Sequence, residues 1–299
     1  MQSNADKNLS PLVTVYIPTY NRYDLLRRAV DSVLQQSHQN FELIIVDDCS
    51  TDNTIEYLQK LSEQDPRVRF FTKESNSGAC TSRNIAIKHA AGEFITGLDD
   101  DDYFLPNRIE VFVKQAHLLD DFSFIYSNNY LKHGDLLTLP RSRFLRPKIV
   151  SANDLLHANL VGNQCFIRTE KMQAIGLFSE KLKAWQDMDT WYRLLSNDYH
   201  HRAKQIEEVT YVQDVTHEYS RISTNNRLKK IMKVYHTFCS QNKLSKKQRQ
   251  ILAGHLAFYG IRVPNKVFLY RILCSFNLYF LSINLRWLFK NHRNTETYK

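Results

Sequence analysis

The first hundred residues alternate apolar, strand-like segments with segments of helical periodicity. The apolar segments are LVTVYIPTY (12–20), FELIIVDDCS (41–50), VRFFT (68–72) and GEFITGLDD (92–100). Between them lie segments in which apolar residues recur every three or four positions, as in RYDLLRRAVDSVLQQS (22–37). Apolar strands separated by amphipathic helices predict an α/β fold with a mostly parallel sheet covered by helices on both faces.

Polar side chains are concentrated where these predicted strands end. Thr19 and Asn21 follow the first strand, Asp47 and Asp48 the second, and the run 99–102 the fourth. In open parallel sheets, ligands bind beyond the carboxyl ends of the strands, so these residues mark the expected site. The chain has neither a G-x-G-x-x-G turn after the first strand nor a P-loop, which disfavours both of those phosphate-binding modes.

Four adjacent aspartates end the fourth segment, in the sequence FITGLDDDDYFLP (94–106). Carboxylates at a strand end are suited to a hard divalent ion such as Mg²⁺ or Mn²⁺. The alternative is that the acids favour the N-terminus of the next helix through its dipole. That alternative accounts for Asp102 but hardly for four acids after a buried strand, so the pattern favours a metal site.

Charge is unevenly distributed along the 299 residues. Residues 225–299 contain 15 Lys and Arg but a single acid, Glu296, whereas the net charge of the whole chain is +9. A mildly acidic body thus carries a basic extension, which indicates an acidic partner or simply a solvated face. The five cysteines form no C-x-x-C pair and the first ten residues are polar, so we expect free thiols, a reducing cytoplasm and no secretory signal.

Four motifs occur here in the order and spacing of family 2 glycosyltransferases. They are VTVYIPTYNR, FELIIVDDCSTDNT, SGACTSRNIAI and GEFITGLDDDDYFLPNRIE. The resemblance is strong over 12–112 and weaker to about 223. It implies a GT-A fold, which is Rossmann-like, with a nucleotide-sugar half (12–112) and an acceptor half (113–223) in one domain (1–223). Residues 224–299 are then expected to be a basic, amphipathic helical extension.

The resemblance also implies roles for residues of the nucleotide-sugar half. Pro18, Thr19 and Tyr20 resemble the loop that packs on the nucleoside. Asp48, or its neighbour Asp47, resembles the acid that hydrogen-bonds the uracil ring or ribose. Arg83 resembles the arginine near the diphosphate.

The LDDDD run resembles the family's L-D-x-D-D motif. By this resemblance Asp99 and Asp101 form the D-x-D pair and are the expected metal residues, with Asp101 touching the ion and Asp99 nearer the ribose. Asp100 occupies the variable position and is counted with the nucleotide-binding residues, and Asp102 is the trailing acid. The expected cofactor is a divalent metal, Mn²⁺ or Mg²⁺, and the expected donor is a nucleotide sugar, with UDP as the favoured nucleotide.

An inverting transfer requires a general base for the acceptor hydroxyl. The segment KAWQDMDTWYRLL (183–195) resembles the family's W-E-D-x-D-x-W-x-R-L, with Gln186 in place of Glu. It implies that Asp187 is the base, with Asp189 as a weaker alternative; otherwise both acids simply favour a helix N-terminus.

Three further residues have weaker support. Asn163 and Gln164 lie in a segment that resembles the acceptor side and are candidates for contacts with sugar hydroxyls. His217 falls where some family members have a histidine near the metal, although a lone histidine more often has a structural role.

Residues 267–290 read as one amphipathic helix with too few apolar residues to span a bilayer. Arg271, Ser275, Ser282 and Arg286 would form its polar stripe, and such a helix lies in a membrane interface. Packing on the protein's own body or on a second subunit, as in a homo-oligomer, is the alternative. With docking, the protein would be peripheral on the inner face of the cell membrane.

These features together predict a metal-dependent inverting hexosyl- or N-acetylhexosaminyltransferase that acts on a saccharide or lipid-linked saccharide in bacterial lipopolysaccharide or capsule synthesis. A catalytically silent nucleotide-binding scaffold and a nucleotidyltransferase are the alternatives. Nucleic acid is not an expected partner, because the extension is too apolar and the acid cluster repels phosphate.

Overall fold

A computed structural model describes residues 10–162, 164–216, 227–275 and 277–290. The strands are β1 (Val13–Thr19), β2 (Phe41–Asp47), β3 (Val68–Thr72), β4 (Phe94–Gly97), β5 (Tyr103–Phe104), β6 (Ile125–Tyr126), β7 (Asn129–His133), β8 (Leu136–Thr138), β9 (Ile149–Val150), β10 (Phe166–Arg168), β11 (Ala203–Gln205) and β12 (Tyr211–Asp214). The α-helices are α1 (Tyr23–Leu34), α2 (Thr54–Gln64), α3 (Ala79–Lys88), α4 (Arg108–Lys114), α5 (Ala152–His157), α6 (Thr169–Ala174), α7 (Gln186–Asn197), α8 (Arg227–Gln241), α9 (Lys246–Ala253), α10 (Asn265–Leu273) and α11 (Leu278–Lys290). Short 3-10 helices cover Ala116–Asp120, Arg141–Phe144 and Gly254–Tyr259.

The main sheet has the strand order β3-β2-β1-β4-β10-β6-β11-β9. The first four strands are parallel, with Val13 opposite both Phe41 and Phe94. This confirms the predicted α/β fold with its mostly parallel sheet. Beyond β4 the sheet becomes mixed, because β10 runs antiparallel to β4.

Both faces of the parallel part are covered, as the apolar strands predict. Val13, Val15 and Ile17 of β1 belong to one apolar cluster together with the buried side of α1. Tyr16 points to the opposite face and belongs to the cluster that includes Ile87 of α3. The alternation of side chains along a strand explains how one segment serves two cores.

A second, smaller sheet has the order β5-β12-β7-β8. Its strand β5 begins directly after the four aspartates, and β12 pairs antiparallel with it, placing Tyr211 opposite Phe104. Residues about 110 positions downstream in the chain are thereby brought next to the acidic loop.

The helices after residue 227 pack on the α/β body. Phe238, Leu252, Phe268 and Phe280 are buried in the same apolar cluster as Trp191 of α7. This packing agrees with the alternative that the extension covers the protein's own body. The expected boundary between residues 223 and 224 lies outside the described residues.

The single helix expected over 267–290 is wrong. The chain forms two helices, with α10 ending at Leu273 and α11 beginning at Leu278. Arg271, expected on an exposed polar stripe, is 1% exposed and donates to the carbonyl oxygens of Ile251 and His157. Its guanidinium donates hydrogen bonds to carbonyl groups at the ends of two other helices. The periodicity of a single segment cannot reveal such contacts. Within the described ranges, no helix is both long and apolar enough to cross a bilayer.

Candidate active site

A cleft of about 1010 Å³ opens at the carboxyl ends of β1 and β4. One wall carries Pro18, Thr19 and Tyr20, and the floor carries the four aspartates 99–102. The opposite wall carries the start of α7 and two residues of the extension, Lys230 and Tyr259. The predicted location of the site at the strand ends is therefore where the structure has its cleft.

Asp100 is turned away from solvent and connects the acidic loop to the end of β1. It accepts hydrogen bonds from Thr19 Oγ1 at 2.9 Å and from Arg22 Nη1 at 2.9 Å. The same Arg22 nitrogen reaches Asp101 Oδ2 at 3.1 Å. Burial raises the pKa of Asp100 to about 6, although Arg22 opposes the shift. These contacts fix the position of the Asp100 side chain, which lies deeper in the protein than that of Asp101.

Asp102 is held from the other side by β12. Tyr211 donates its hydroxyl hydrogen to Asp102 Oδ2 at 2.6 Å, and the Asp214 amide donates to Oδ1 at 2.9 Å. Arg28 bridges Asp214 and the Asp101 carbonyl oxygen, each at 2.5 Å. Burial raises the pKa of Asp102 well above its ordinary value, and the charges of Asp99 and Asp101 add to the shift.

Asp99, Asp101 and Asp102 together could hold a metal ion. One carboxylate oxygen from each lies within 4.8 Å of the others. Carboxylate oxygens are the ligand type that Mg²⁺ and Mn²⁺ prefer. Asp99 and Asp101 were the expected metal residues, and the geometry adds Asp102 to them.

Arg83 lies between Asp99 and Asp187. Its Nη2 is 2.8 Å from Asp99 Oδ1, and its Nη1 is 3.9 Å from Asp187 Oδ1. The guanidinium is buried and stacks over the Phe178 ring at 5.3 Å. Burial works against the charge of the guanidinium, but the carboxylates of Asp99 and Asp187 outweigh that cost and raise its pKa above the ordinary arginine value.

Asp187 stands at the first turn of α7, facing the cleft. Its side chain is 27% exposed, and among the described residues Oδ1 has no hydrogen-bond partner. Burial raises its pKa to about 7, while Arg83 opposes the shift and Asp99 reinforces it. A carboxylate with a pKa near 7 is suited to accept a proton at physiological pH.

Gln164 lies beneath Asp99 rather than on the cleft wall. It accepts from the Tyr16 hydroxyl at 3.2 Å and donates to Asp99 Oδ1 at 3.3 Å. Gly97 leaves the necessary space, because a Cβ there would lie 2.1 Å from Gln164 Oε1. The predicted contact of Gln164 with sugar hydroxyls is therefore not its contact here. Asn163 and His217 lie outside the described residues.

The two acids after β2 have different surroundings. Asp48 lines the cleft, accepts from the Ser77 and Gly78 amides at 2.9 and 2.7 Å, and pairs with Lys73 at 2.6 Å. Asp47 is fully buried and accepts from the Ser50 amide at 2.9 Å. Of the alternatives Asp48 and Asp47, the geometry favours Asp48 for a ligand contact.

Asp189 is fully buried and faces the extension. It accepts from Arg193 Nε at 2.9 Å and from Asn242 Nδ2 at 2.7 Å, and Gln241 is a third donor. Because three donors surround it away from the cleft, its contacts are structural and connect α7 with α8.

Sequence reasoning missed several residues of the site. Arg22 could have been noticed, because a cation directly after the first strand faces the acidic strand end. Tyr211, Asp214, Lys230 and Tyr259 carry no such local signal, since only the pairing of β12 and the packing of the extension bring them near the aspartates.

Comparison with known proteins identifies relatives by sequence. The protein-family model described as "Glycosyl transferase family 2" matches residues 14–173 of the sequence. An Escherichia coli (strain K12) protein named for colanic acid biosynthesis, the glycosyl transferase WcaA, is 38% identical over 219 residues. That similarity covers 72% of this chain and 77% of WcaA.

Solved structures share the architecture. S. aureus TarS 1-349 in complex with UDP-GlcNAc has a TM-score of 0.60 and 20% identity, covering 96% of this chain and 93% of that one. The chain spans 49% of a longer TarS structure. The mannosyltransferase PcManGT from Pyrobaculum calidifontis, in complex with GDP-Man and Mn2+, has a TM-score of 0.63 and 17% identity, covering 95% and 85%. These neighbours have the GT-A fold, which confirms the expected fold.

The family match covers more than half of the chain, and residues from all four sequence motifs line the cleft. The chain therefore belongs to glycosyl transferase family 2.

Proposed function

We propose that this protein is a metal-dependent inverting glycosyltransferase that moves a hexose or N-acetylhexosamine from a nucleotide diphosphate, with UDP favoured, to a saccharide acceptor. The observation that carries the proposal is the cleft in which a three-carboxylate cluster and a separate carboxylate, Asp187, flank the same arginine, Arg83. One set of acids suits the diphosphate end of the donor and the other suits the acceptor hydroxyl.

The donor would lie along the wall formed by β1 and its loop. Pro18, Thr19 and Tyr20 would contact the nucleoside, Asp48 the base or ribose, and Arg83 the diphosphate. TarS and PcManGT were solved with UDP-GlcNAc and with GDP-Man, respectively, on the same fold, which supports a nucleotide-sugar donor.

Asp99, Asp101 and Asp102 would hold the divalent ion, because their oxygens are close together and are the donor type it prefers. A bound ion would act as a Lewis acid toward the leaving diphosphate. The protein keeps the cluster in place through Arg22 on one side and Tyr211 on the other.

Asp187 would accept the proton of the acceptor hydroxyl. Its exposure to the cleft gives the hydroxyl access, and its raised pKa makes it a competent base near neutral pH. Arg83 limits the increase in pKa, so that the carboxylate is available in its ionised form.

Calorimetric titration with UDP tests the metal site. We expect UDP to bind at least tenfold more tightly with Mn²⁺ than with EDTA, and Asp101→Asn to remove that difference. Asp120→Asn is the matched control, since Asp120 is an exposed acid paired with Arg168 outside the cleft. Binding that is equal with and without metal would contradict the proposal.

The base is tested separately with Asp187→Asn. This variant should bind UDP and Mn²⁺ as the parent does while losing transfer by a factor of about 10² or more. Transfer at the parental rate would eliminate Asp187 as the base but would not contradict the proposed metal site.

For the acceptor, we infer a saccharide of a bacterial surface polysaccharide, of the lipopolysaccharide or capsule kind. The similarity to WcaA, which is named for colanic acid biosynthesis, supports this class. A screen of nucleotide sugars for slow donor hydrolysis would identify the sugar.

The extension offers a face that would suit an anionic membrane, with the enzyme at the bilayer where lipid-linked saccharides are found. Leu269, Leu273 and Leu278 are 51%, 76% and 68% exposed around the junction of α10 and α11. The strongly basic composition of residues 225–299 complements anionic lipid headgroups.

A further inference from the structure

The backbone at the start of α7 has an unusual conformation next to the proposed base. Trp185, two residues before Asp187, has φ 59° and ψ 23°, in the left-handed region. A bulky non-glycine residue adopts this conformation only where its surroundings enforce it. The question is what holds Trp185 there.

The contacts around the Trp185 ring come from the extension. Its indole N–H donates to the Tyr259 hydroxyl oxygen at 2.9 Å. The ring also packs edge-on against Phe238 of α8 and His255 of the 3-10 helix, with centroids 6.2 and 5.5 Å apart. These residues lie 53 to 74 positions further along the chain.

The extension also contacts Asp189 in the same first turn of α7. Gln241 and Asn242, at the end of α8, donate to Asp189, two residues after Asp187. Asp187 therefore lies between two residues, Trp185 and Asp189, that both contact the extension. Tyr259 itself reaches the wall of the cleft.

We infer that the extension positions the catalytic base: Tyr259, through the indole N–H of Trp185, fixes the first turn of α7 so that the Asp187 carboxylate points into the cleft. The contact of Tyr259 with Trp185 then links the extension to the proposed base. This inference rests on the proposed function of Asp187 and gives Tyr259 the role of a positioning residue, which acts through Trp185.

The orientation of the Asp187 carboxylate depends on contacts from outside α7. A first helical turn has few intrahelical hydrogen bonds of its own, so its geometry depends on outside contacts. A base displaced by a fraction of an ångström loses rate in the chemical step, while donor affinity is unaffected. Tyr259 should therefore influence kcat and leave the KM for the nucleotide sugar unchanged.

A double-mutant cycle tests the inference. Tyr259→Phe keeps the ring and removes the acceptor oxygen, and Trp185→Phe removes the donor. We expect Tyr259→Phe to lower kcat about three- to tenfold, with the donor KM and the UDP Kd within twofold of the parent and the Tm unchanged. The double variant should lose no more than Trp185→Phe alone, because both substitutions remove the same hydrogen bond.

Tyr235→Phe is the matched control. The Tyr235 hydroxyl donates to the Arg249 carbonyl at 3.0 Å, within the extension itself. We expect it to leave kcat at the parental value, although it also removes a tyrosine hydroxyl from the same helices.

Three results would overturn the inference: an unchanged kcat in Tyr259→Phe, multiplicative losses in the double variant, or a rise in acceptor KM alone, which would mean that Tyr259 touches the acceptor. The variant Asp187→Asn separates this failure from that of the proposed function. Loss of transfer in Asp187→Asn with normal kcat in Tyr259→Phe overturns the positioning role only, whereas retained transfer in Asp187→Asn overturns both.

Discussion

At the residue scale, the site depends on where carboxylates are desolvated. Among the described residues, the charged group paired with Asp187 is Arg83, at the long distance of 3.9 Å, so burial dominates and the pKa of Asp187 is raised to about 7. Asp198, near the end of the same helix, is also partly buried, but hydrogen bonds from Ser123 and Lys171 outweigh burial and lower its pKa. The same residue type therefore has opposite ionisation tendencies in one element.

The raised pKa of Asp187 has a consequence for stability. In the unfolded chain an aspartate has a pKa of about 3.9. Between about pH 4 and 7 the native state therefore holds a proton that the unfolded state has released, so stability falls as pH rises and the cost is complete above pH 7. For metal-free protein we expect Asp187→Asn to raise the free energy of unfolding by up to about 4 kcal/mol at pH 8, at about 1.36 kcal/mol per pKa unit, and to change it little near pH 4. Urea unfolding at the two pH values measures this.

Asp198→Asn is the comparison of opposite sign. Because the pKa of Asp198 is lowered in the native state, its ionised form stabilises the fold at neutral pH. The substitution should lower stability at pH 8 and have less effect at low pH. Stabilisation by both substitutions would contradict this account.

At the element scale, α7 carries both a residue of the proposed site, Asp187, and a residue with structural contacts, Asp189. Its first turn carries both acids, with Asp187 facing the cleft and Asp189 buried against the extension. The acidic helix start was visible in the sequence, since both acids precede an amphipathic pattern. Their division into an exposed and a structural acid was not, because it depends on which side α8 packs.

We expect Asp189→Ala to destabilise the protein by about 3 kcal/mol, because three part-buried donors, Arg193, Gln241 and Asn242, would lose their buried acceptor. The midpoint of urea unfolding measures the effect. Glu56→Ala is the control, an exposed acid paired with Lys60 one helical turn away, and should leave the midpoint within error. A small shift of the midpoint in Asp189→Ala would mean that the contacts between α8 and α7 contribute little to stability.

At the scale of the whole molecule, charge and exposed apolar surface occur together in the extension. Its helices bury Phe268 and Phe280 against the body, yet leave Leu273 and Leu278 largely exposed, in a segment of the sequence that is rich in lysine and arginine. The two proposals for the extension, positioning of α7 and docking on a membrane, are therefore compatible. One side of the extension would hold α7 while another side would face the bilayer.

Leu273→Glu tests the membrane proposal. The change removes an inserting side chain and adds a charge that anionic lipid repels, so binding to vesicles of phosphatidylglycerol and phosphatidylcholine should weaken at least tenfold. Flotation measures the bound fraction. Leu136→Glu, at an exposed leucine of β8, should bind as the parent does. Equal binding by all three proteins, or no binding to anionic vesicles, would refute the docking face.

The sequence by itself determined the alternation of strands and helices, the placement of Thr19, Asp48 and the aspartates at strand ends, and the family. These follow from local periodicity and from motifs, each of which lies within one short segment. Only the tertiary structure decided that Tyr211 and Arg22 brace the acidic loop, that Arg271 is buried and that Tyr259 reaches Trp185. Those contacts join residues that are distant in the chain, and their partners are chosen by packing and by the need to satisfy buried polar groups, which no single segment encodes.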